Sequence, residues 1–452
     1  MMENDRTMMQ QNDPKNNWYL SSFDRFEKSL NGEAKTNLHT IRKEAIAKFT
    51  EIGFPTTHDE EWKYTDVSPI SRMEFKPILE QKTTGLTQED IERLSFGILN
   101  VLVLVNGRFS KELSKLSGLP KNIRAGSLAD ALRSGGAMLE QHLTRHARYD
   151  ENAFIALNTA FLIDGAFIHI PEKMILSEPI HLLFISTENA EPFVSHPRNL
   201  IIAEKSCQAT ILESYVSVGG STYFTNTVSE IVVSENAVLE HDKFQMESEQ
   251  AFHVATINAH QDRNSTYTQH VITMGGLLTR NNITSVLDGE GIESTLNGLY
   301  LGTADQHIDN HTVIDHAKPH CNSHELYKGI LSGKSRGVFN GKIFVRKDAQ
   351  KTDAKQTNKN LVLSDEASID SKPQLEIFAN DVKCTHGATI GQLDDEAIFY
   401  LRSRGVDFAK ARDILIFAFA SDVVDRLKIE PLRDHLHKLI HDRLEEERTP
   451  AV

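Results

Sequence analysis

The sequence predicts a mostly β protein, a right-handed parallel β-helix flanked by N-terminal and C-terminal α-helical domains. Two observations carry this expectation. From about residue 164 to residue 377, short apolar segments alternate with polar turns, the period-two signature of strands, whereas both ends of the chain place apolar residues at helical spacing. The strand segments also share a loose pattern: an apolar triplet, an acidic or polar turn, a small residue, then alternation. It shows in LIIAEKSCQATILES from Leu200, EIVVSENAVLEHD from Glu230, SVLDGEGIES from Ser285 and LVLSDEASID from Leu361, at irregular intervals. Short strands with small residues at the corners favour stacked coils over a sandwich, each coil burying its inward side chains against the next. The ends of such a stack need covering, and the terminal helices are expected to provide it.

In chain order, residues 1–20 are polar and Met-rich and read as a mobile tail, and 21–97 as an N-terminal helical domain. Leu38, Ile41, Ala45, Phe49 and Ile52 form an apolar stripe on a helix that Gly53 can end. Trp62 follows in GFPTTHDEEWKYTDVSPI and reads as a packing anchor. Thr87, with Glu89 and Asp90 after it, offers a cap and first-turn acids for a further helix. Residues 98–163 are a mixed transition: ILNVLVLVNGRFS carries the hairpin signal Asn106-Gly107, and SLADALRSGGAMLEQHL reads as helix with a glycine break. The β-helix core is placed at 164–385 and the C-terminal helical domain at 386–452. There Asp395 and Glu396 begin a first helix that ends before Gly405, Asp407 caps a second, and Pro431 opens a third. Phe417 and Phe419 widen the second helix's apolar face, which suits internal packing or a partner protein equally.

Bulk properties restrict function. A formal charge of −14 without a basic stripe argues against nucleic acid, which needs clustered Lys and Arg. The first twenty residues hold acids and amides where a secretory signal needs an apolar core, and no apolar run reaches membrane length, so a cytoplasmic location is expected. Cys207, Cys321 and Cys384 are far apart and odd in number, so a disulfide framework is not expected. Three cysteines cannot supply a four-thiolate site; a cluster held here needs His, carboxylate or a partner's ligands. No Walker A or G-x-G-x-x-G segment is present, and acidic pairs such as Asp288 with Glu290 suit turns better than a glycosidase pair, so no self-contained catalytic site is expected.

Two constellations remain. On a strand, His307, Asp309 and His311 point to one face, either as a metal-binding stripe or as solvated, hydrogen-bonded groups; the run through His324 matches no closed zinc spacing. Cys384 and His386 share a face at the junction between strands and helices. They read as a buried small Cys with a hydrogen-bonded His, or as a metal-binding pair whose thiol a nearby helix N-terminus would acidify.

The run FNGKIFVRKDAQKTDAKQTNKNLVLSDEASIDSKPQLEIFANDVKCTHGATIG (339–391), continued by LDDEAIFYLRSRG, resembles the SufB/SufD family of the SUF iron–sulfur cluster assembly system. GFPTTHDEEWKYTD and DGAFIHIP at Asp164 are similar to the family as well, so the resemblance covers most of the chain from about residue 30. CTHGATIG, with Gly387 after the His where SufB typically has glutamate, looks like the SufD branch; a SufB-like cluster-holding scaffold is the alternative, and a β-solenoid carbohydrate enzyme a more distant one. The resemblance implies a non-catalytic subunit that pairs with SufB through the β-helices, binds the ATPase SufC through its C-terminal helices, and meets a cysteine desulfurase system through the complex. A homodimer is implied when the chain is isolated. It implies a transient iron–sulfur cluster or iron shared with SufB, with no stable cofactor of the chain's own. By motif match His386, with Cys384 beside it, lies at the cluster-assembly interface, and Asp395, Phe399, Tyr400, Arg402, Ser403, Arg404 and Gly405 lie in the ATPase-docking segment.

Overall fold

A computed structural model describes residues 14–30, 37–78 and 85–448. Its body is a β-solenoid of about eight turns, mostly β overall, with helices at both ends of the chain. Each turn contributes one strand to each of two parallel sheets, and the register holds from coil to coil: Phe224, Phe252, Leu278, His307, Arg336 and Ser368 stand side by side in the first sheet. The seven strands from Leu278–Leu287 to Ser368–Ile377 have 10 residues each. The sequence repeat is irregular because the corners, not the strands, absorb the differences in length.

Those corners explain the recurring polar turns. Ser206, Asn236, Asn264, His320 and Lys351 all adopt positive φ, and Gly291 takes the equivalent place. Their N–H groups link coil to coil: Ser206 donates to Glu235 O, Asn236 to Arg263 O, Asn264 to Glu290 O, His320 to Gln350 O and Lys351 to Asp381 O. Asn, Asp and Gly tolerate this conformation, so the polar turns are corner chemistry. Inside, large and small residues interlock. Tyr327 lies beside Gly298 and Tyr300 beside Gly329, and a Cβ on Gly298 would stand 2.2 Å from the Tyr327 ring.

The solenoid starts earlier than residue 164. Asn100–Val105 pairs in parallel with Ile180–Thr187, and a hairpin at Asn106-Gly107 (φ +49° and +80°) returns the chain to Arg108–Phe109. It also ends later than residue 385, because the last strand is Lys383–Gly391. Thr87 and Asp90 form a reciprocal capping box, and Gly135-Gly136 separates helices Leu128–Ser134 and Ala137–His142.

The terminal helices lie along the sides of the solenoid, which corrects the expectation that they cover its ends. Most of the expected tail lies outside the described residues, but a helix runs from Pro14 to Ser29. Its Tyr19 is fully buried, 5.5 Å from Phe49 and 5.3 Å from Phe54. This N-terminal unit packs on the outer face of the first sheet through Phe224, Phe252, Val254 and Leu278. A fully buried pair fastens the adjoining segment: Arg198 lies 2.7 Å from Glu230, which also accepts from the N–H groups of Thr144, His146 and Ala147. Helices Phe408–Val424 and Glu430–Arg448 cover the outer face of the second sheet, where Ile416, Val423, Leu427 and Leu436 join Phe244, Ile272, Leu299 and Ile330. Phe417 packs on His437 (5.2 Å) and Phe419 lies under Lys328 (4.3 Å), so both serve internal packing.

Candidate functional site

The C-terminal end of the solenoid is open. Ser368–Ile377 closes one sheet and Lys383–Gly391 the other, and each pairs on one side only. Cys384 continues the inward column through Ala354, and His386 the column through His241, Gln269, Leu296, Glu325 and Gln356. Every earlier inward position is roofed by a following coil. At the last coil the inward row is exposed, so His386, Ala388 and Ile390 face outward from the end of the lumen. Ile377, Phe378 and Ile390 are likewise exposed large apolar residues at this end.

Cys384 is half-buried and packs with Leu375 and Val382 on a small cluster of Ile343, Val345, Ala349 and Ala354. Burial first, and the Asp353 carboxylate second, push its thiol up. Of the two readings of this thiol, the direction of the shift favours the packed Cys over the acidified one. The strand carries the chain roughly 3.3 Å per residue away from Cys384, so the next helix, capped by Asp394, begins more than about 20 Å along the chain path. Beneath the exposed His386 stands the carboxamide of Gln356, which donates through Nε2 to Glu325 Oε2 at 2.7 Å. Glu325 is buried, and desolvation raises its carboxyl to about 7 against the hydrogen bond from Gln356. The site thus presents one solvent-facing imidazole and one protonated thiol, a partial ligand set that cannot close around a metal alone.

The second candidate segment follows directly. Helix Asp395–Ser403 starts where the Asp394 carboxylate accepts from the N–H groups of Glu396 and Ala397, and Ile398 is its one buried residue. Phe399, Tyr400 and Phe408 are 73%, 58% and 57% exposed. Arg404 lies over the Tyr400 ring at 5.3 Å and Arg402 over Phe408 at 6.0 Å; Ser403 Oγ donates to Tyr400 O, and Gly405 at φ +88° turns the chain. With Asp395 also exposed, the helix presents an aromatic face edged by guanidinium groups and first-turn acids.

The His307, Asp309 and His311 stripe does share one face, and that face is occupied by the EEWKYTD motif. Thr65 Oγ1 bonds His307 Nε2 (2.8 Å) and donates to Asp309, Glu61 faces His311 (3.4 Å), and Lys372 pairs with Glu60. The Arg280 guanidinium bonds Asp309 at 2.7 Å and lies 3.6 Å above the Trp62 ring. Burial works to raise the Asp309 carboxyl, yet Arg280 and His311 hold it well below the usual range. Trp62 is the anchor the sequence predicts, and the stripe is its socket.

Sequence reasoning missed the buried polar residues of the solenoid, among them Glu213, His241, Lys243 and Glu247 inside and Glu240, Asp242 and His270 outside. Four consecutive polar residues, 240–243, between the apolar Val238-Leu239 and Phe244 are the available signal.

Comparison with known proteins agrees with this architecture. The SufBD core domain of the SUF system for FeS cluster assembly matches residues 184–419, and the SufBD protein N-terminal region matches 13–182. The chain belongs to the SufBD family. It is similar to an iron–sulfur cluster assembly SufBD family protein of Synechocystis, 34% identical with 92% of this chain and 93% of the relative covered. Similar too are the iron–sulfur cluster assembly proteins SufD of Escherichia coli (32%; 88% and 91% covered) and Bacillus subtilis (26%; 94% and 97%). The SufBD core match spans most of the solenoid, its open end and the exposed helix Asp395–Ser403. No described helix is long and apolar enough to cross a membrane.

Proposed function

We propose that the chain is a SufD-type, non-catalytic scaffold subunit of cytoplasmic iron–sulfur cluster assembly. It pairs with SufB through the open end of the solenoid and binds the ATPase SufC through the exposed helix Asp395–Ser403 and the helix after it. The observation that carries the reading is the open end itself: two one-sided edge strands with exposed inward residues are a template for strand addition by a second β-helix. His386 then lies in the seam, where its imidazole supplies one ligand to a nascent cluster or iron that SufB completes. The cluster is cargo, and the sulfur reaches it from a cysteine desulfurase system that meets the complex. Two further facts support the reading: two relatives over nearly the whole chain are named SufD, and Gly387 follows the His in the motif.

Closure of two ATP-bound SufC subunits would draw the C-terminal helices of SufD and SufB together and shift the seam, provided SufC contacts differ between the open and closed states. The test is co-expression of the tagged chain with SufB and SufC. The expected result is a complex of all three, in which His386→Ala assembles normally but loses most cluster formation. Absence of SufB and SufC from the purified complex rejects the partner assignment; full cluster formation by an intact His386→Ala complex rejects the role of the imidazole.

A further inference from the structure

Glu240 and Asp242 are two residues apart on strand Val238–Met246, so both project from the outer face of the second sheet. His270 is the register partner of Asp242 on strand Thr266–Thr273. All three are buried beneath the C-terminal helices, at 2%, 1% and 2% exposure, and one ligand atom from each lies within 4.8 Å of the other two. Asp242 Oδ1 is 2.8 Å from His270 Nδ1, while Asp242 Oδ2, sealed from water, has no hydrogen-bond partner. Glu240 is met by Lys428, whose ammonium lies 2.6 Å from Oε2 and whose backbone N–H donates to Oε1 at 3.3 Å. A carboxylate oxygen taken out of water without a partner is costly, and a cation beside it would satisfy it.

We propose that Glu240, Asp242 and His270 bind a divalent first-row transition-metal cation between the solenoid and the linker that joins its last two helices. Two carboxylates and one imidazole without thiolate suit Zn(II), Mn(II), Fe(II) or Co(II) and disfavour Cu(I). Three protein ligands leave room for a further one, and the Lys428 ammonium stands next to that space. Its side chain is 66% exposed, so it can move into solvent as the ion enters. The backbone bond from Lys428 to Glu240 keeps the linker in place, which makes the cation a clasp between solenoid and helices.

The full-length chain, stripped with a chelator and titrated with Co(II), is expected to bind one tight equivalent with the visible spectrum of nitrogen and oxygen ligation. Asp242→Asn and His270→Gln should each weaken it at least about tenfold. Lys428→Ala removes a competing cation at an exposed position and should tighten it several-fold, a comparison that holds even if the buried substitutions disturb folding. Failure of the parent to bind a stoichiometric equivalent overturns the site. So does affinity unchanged by Lys428→Ala, or a spectrum of thiolate ligation alone, which would place the ion at a cysteine.

Discussion

Glu325 shows how one inward position inherits chemistry from its column. It lies one coil below Gln356 and two below His386, and desolvation raises its carboxyl from 4.5 to about 7. A carboxyl with a raised folded-state pKa favours folding fully below the unfolded value, and that contribution is lost as pH rises through about 7. Between pH 5 and pH 8 the loss amounts to roughly 2 to 3 kcal/mol. Glu325→Gln keeps a neutral side chain and should escape it. Urea unfolding at both pH values is expected to show the variant gaining stability over the parent at pH 8 and little at pH 5. An equal difference at both would mean that the carboxyl does not titrate in this window.

At the scale of elements, the last strand is set apart by what it lacks on one side. Lys383–Gly391 has the register of every earlier strand in its sheet, yet all of it but the half-buried Cys384 is exposed because no coil follows. Edge strands of this kind carry unpaired backbone groups that attract another strand. The isolated chain is therefore expected to self-associate reversibly through this end, and Ala388→Lys, which puts a charge on the exposed inward row, should leave it monomeric. Light scattering across a concentration series checks this, and a parent that stays monomeric at high concentration refutes it. Helix Asp395–Ser403 has the complementary character: a good cap and one buried residue position it, while Phe399 and Tyr400 add nothing to the described core.

For the molecule as a whole, the interior is more polar than an apolar repeat suggests, and this gives it an acid limit. Burial pushes His181 and His196 down to about 3 and His316 to about 4; His181 stacks on Phe96, His196 on Phe161, and His316 bonds Ser323 Oγ. A base with a depressed folded-state pKa contributes stability above its unfolded value near 6.5 and loses it as pH falls toward the folded value. At pH 5 each of these residues costs about 2 kcal/mol. Stability is thus expected to drop steeply between pH 7 and pH 5, read as a falling denaturation midpoint by Trp fluorescence. A midpoint constant over that range would show that these histidines accept protons without unfolding.

Local chemistry determined much of this from the sequence alone. The strand alternation, the cap at Thr87, the hairpin at Asn106-Gly107 and the cap at Asp407 depend on residues a few positions apart, and the structure has each of them. The anchoring of Trp62 and the shared face of His307 and His311 were legible for the same reason, but their partnership was not. Only the tertiary fold brings EEWKYTD onto that stripe, across more than two hundred residues of chain. The same holds for Glu240, Asp242 and His270, which meet because coils stack in register, and for the exposure of His386. A period-two pattern puts His386 on one face with Cys384, and the pattern is the same whether or not another coil lies above it. Where the stack stops and where the helices lie depend on contacts between distant parts of the chain, and so the tertiary structure decides which inward residue becomes a surface.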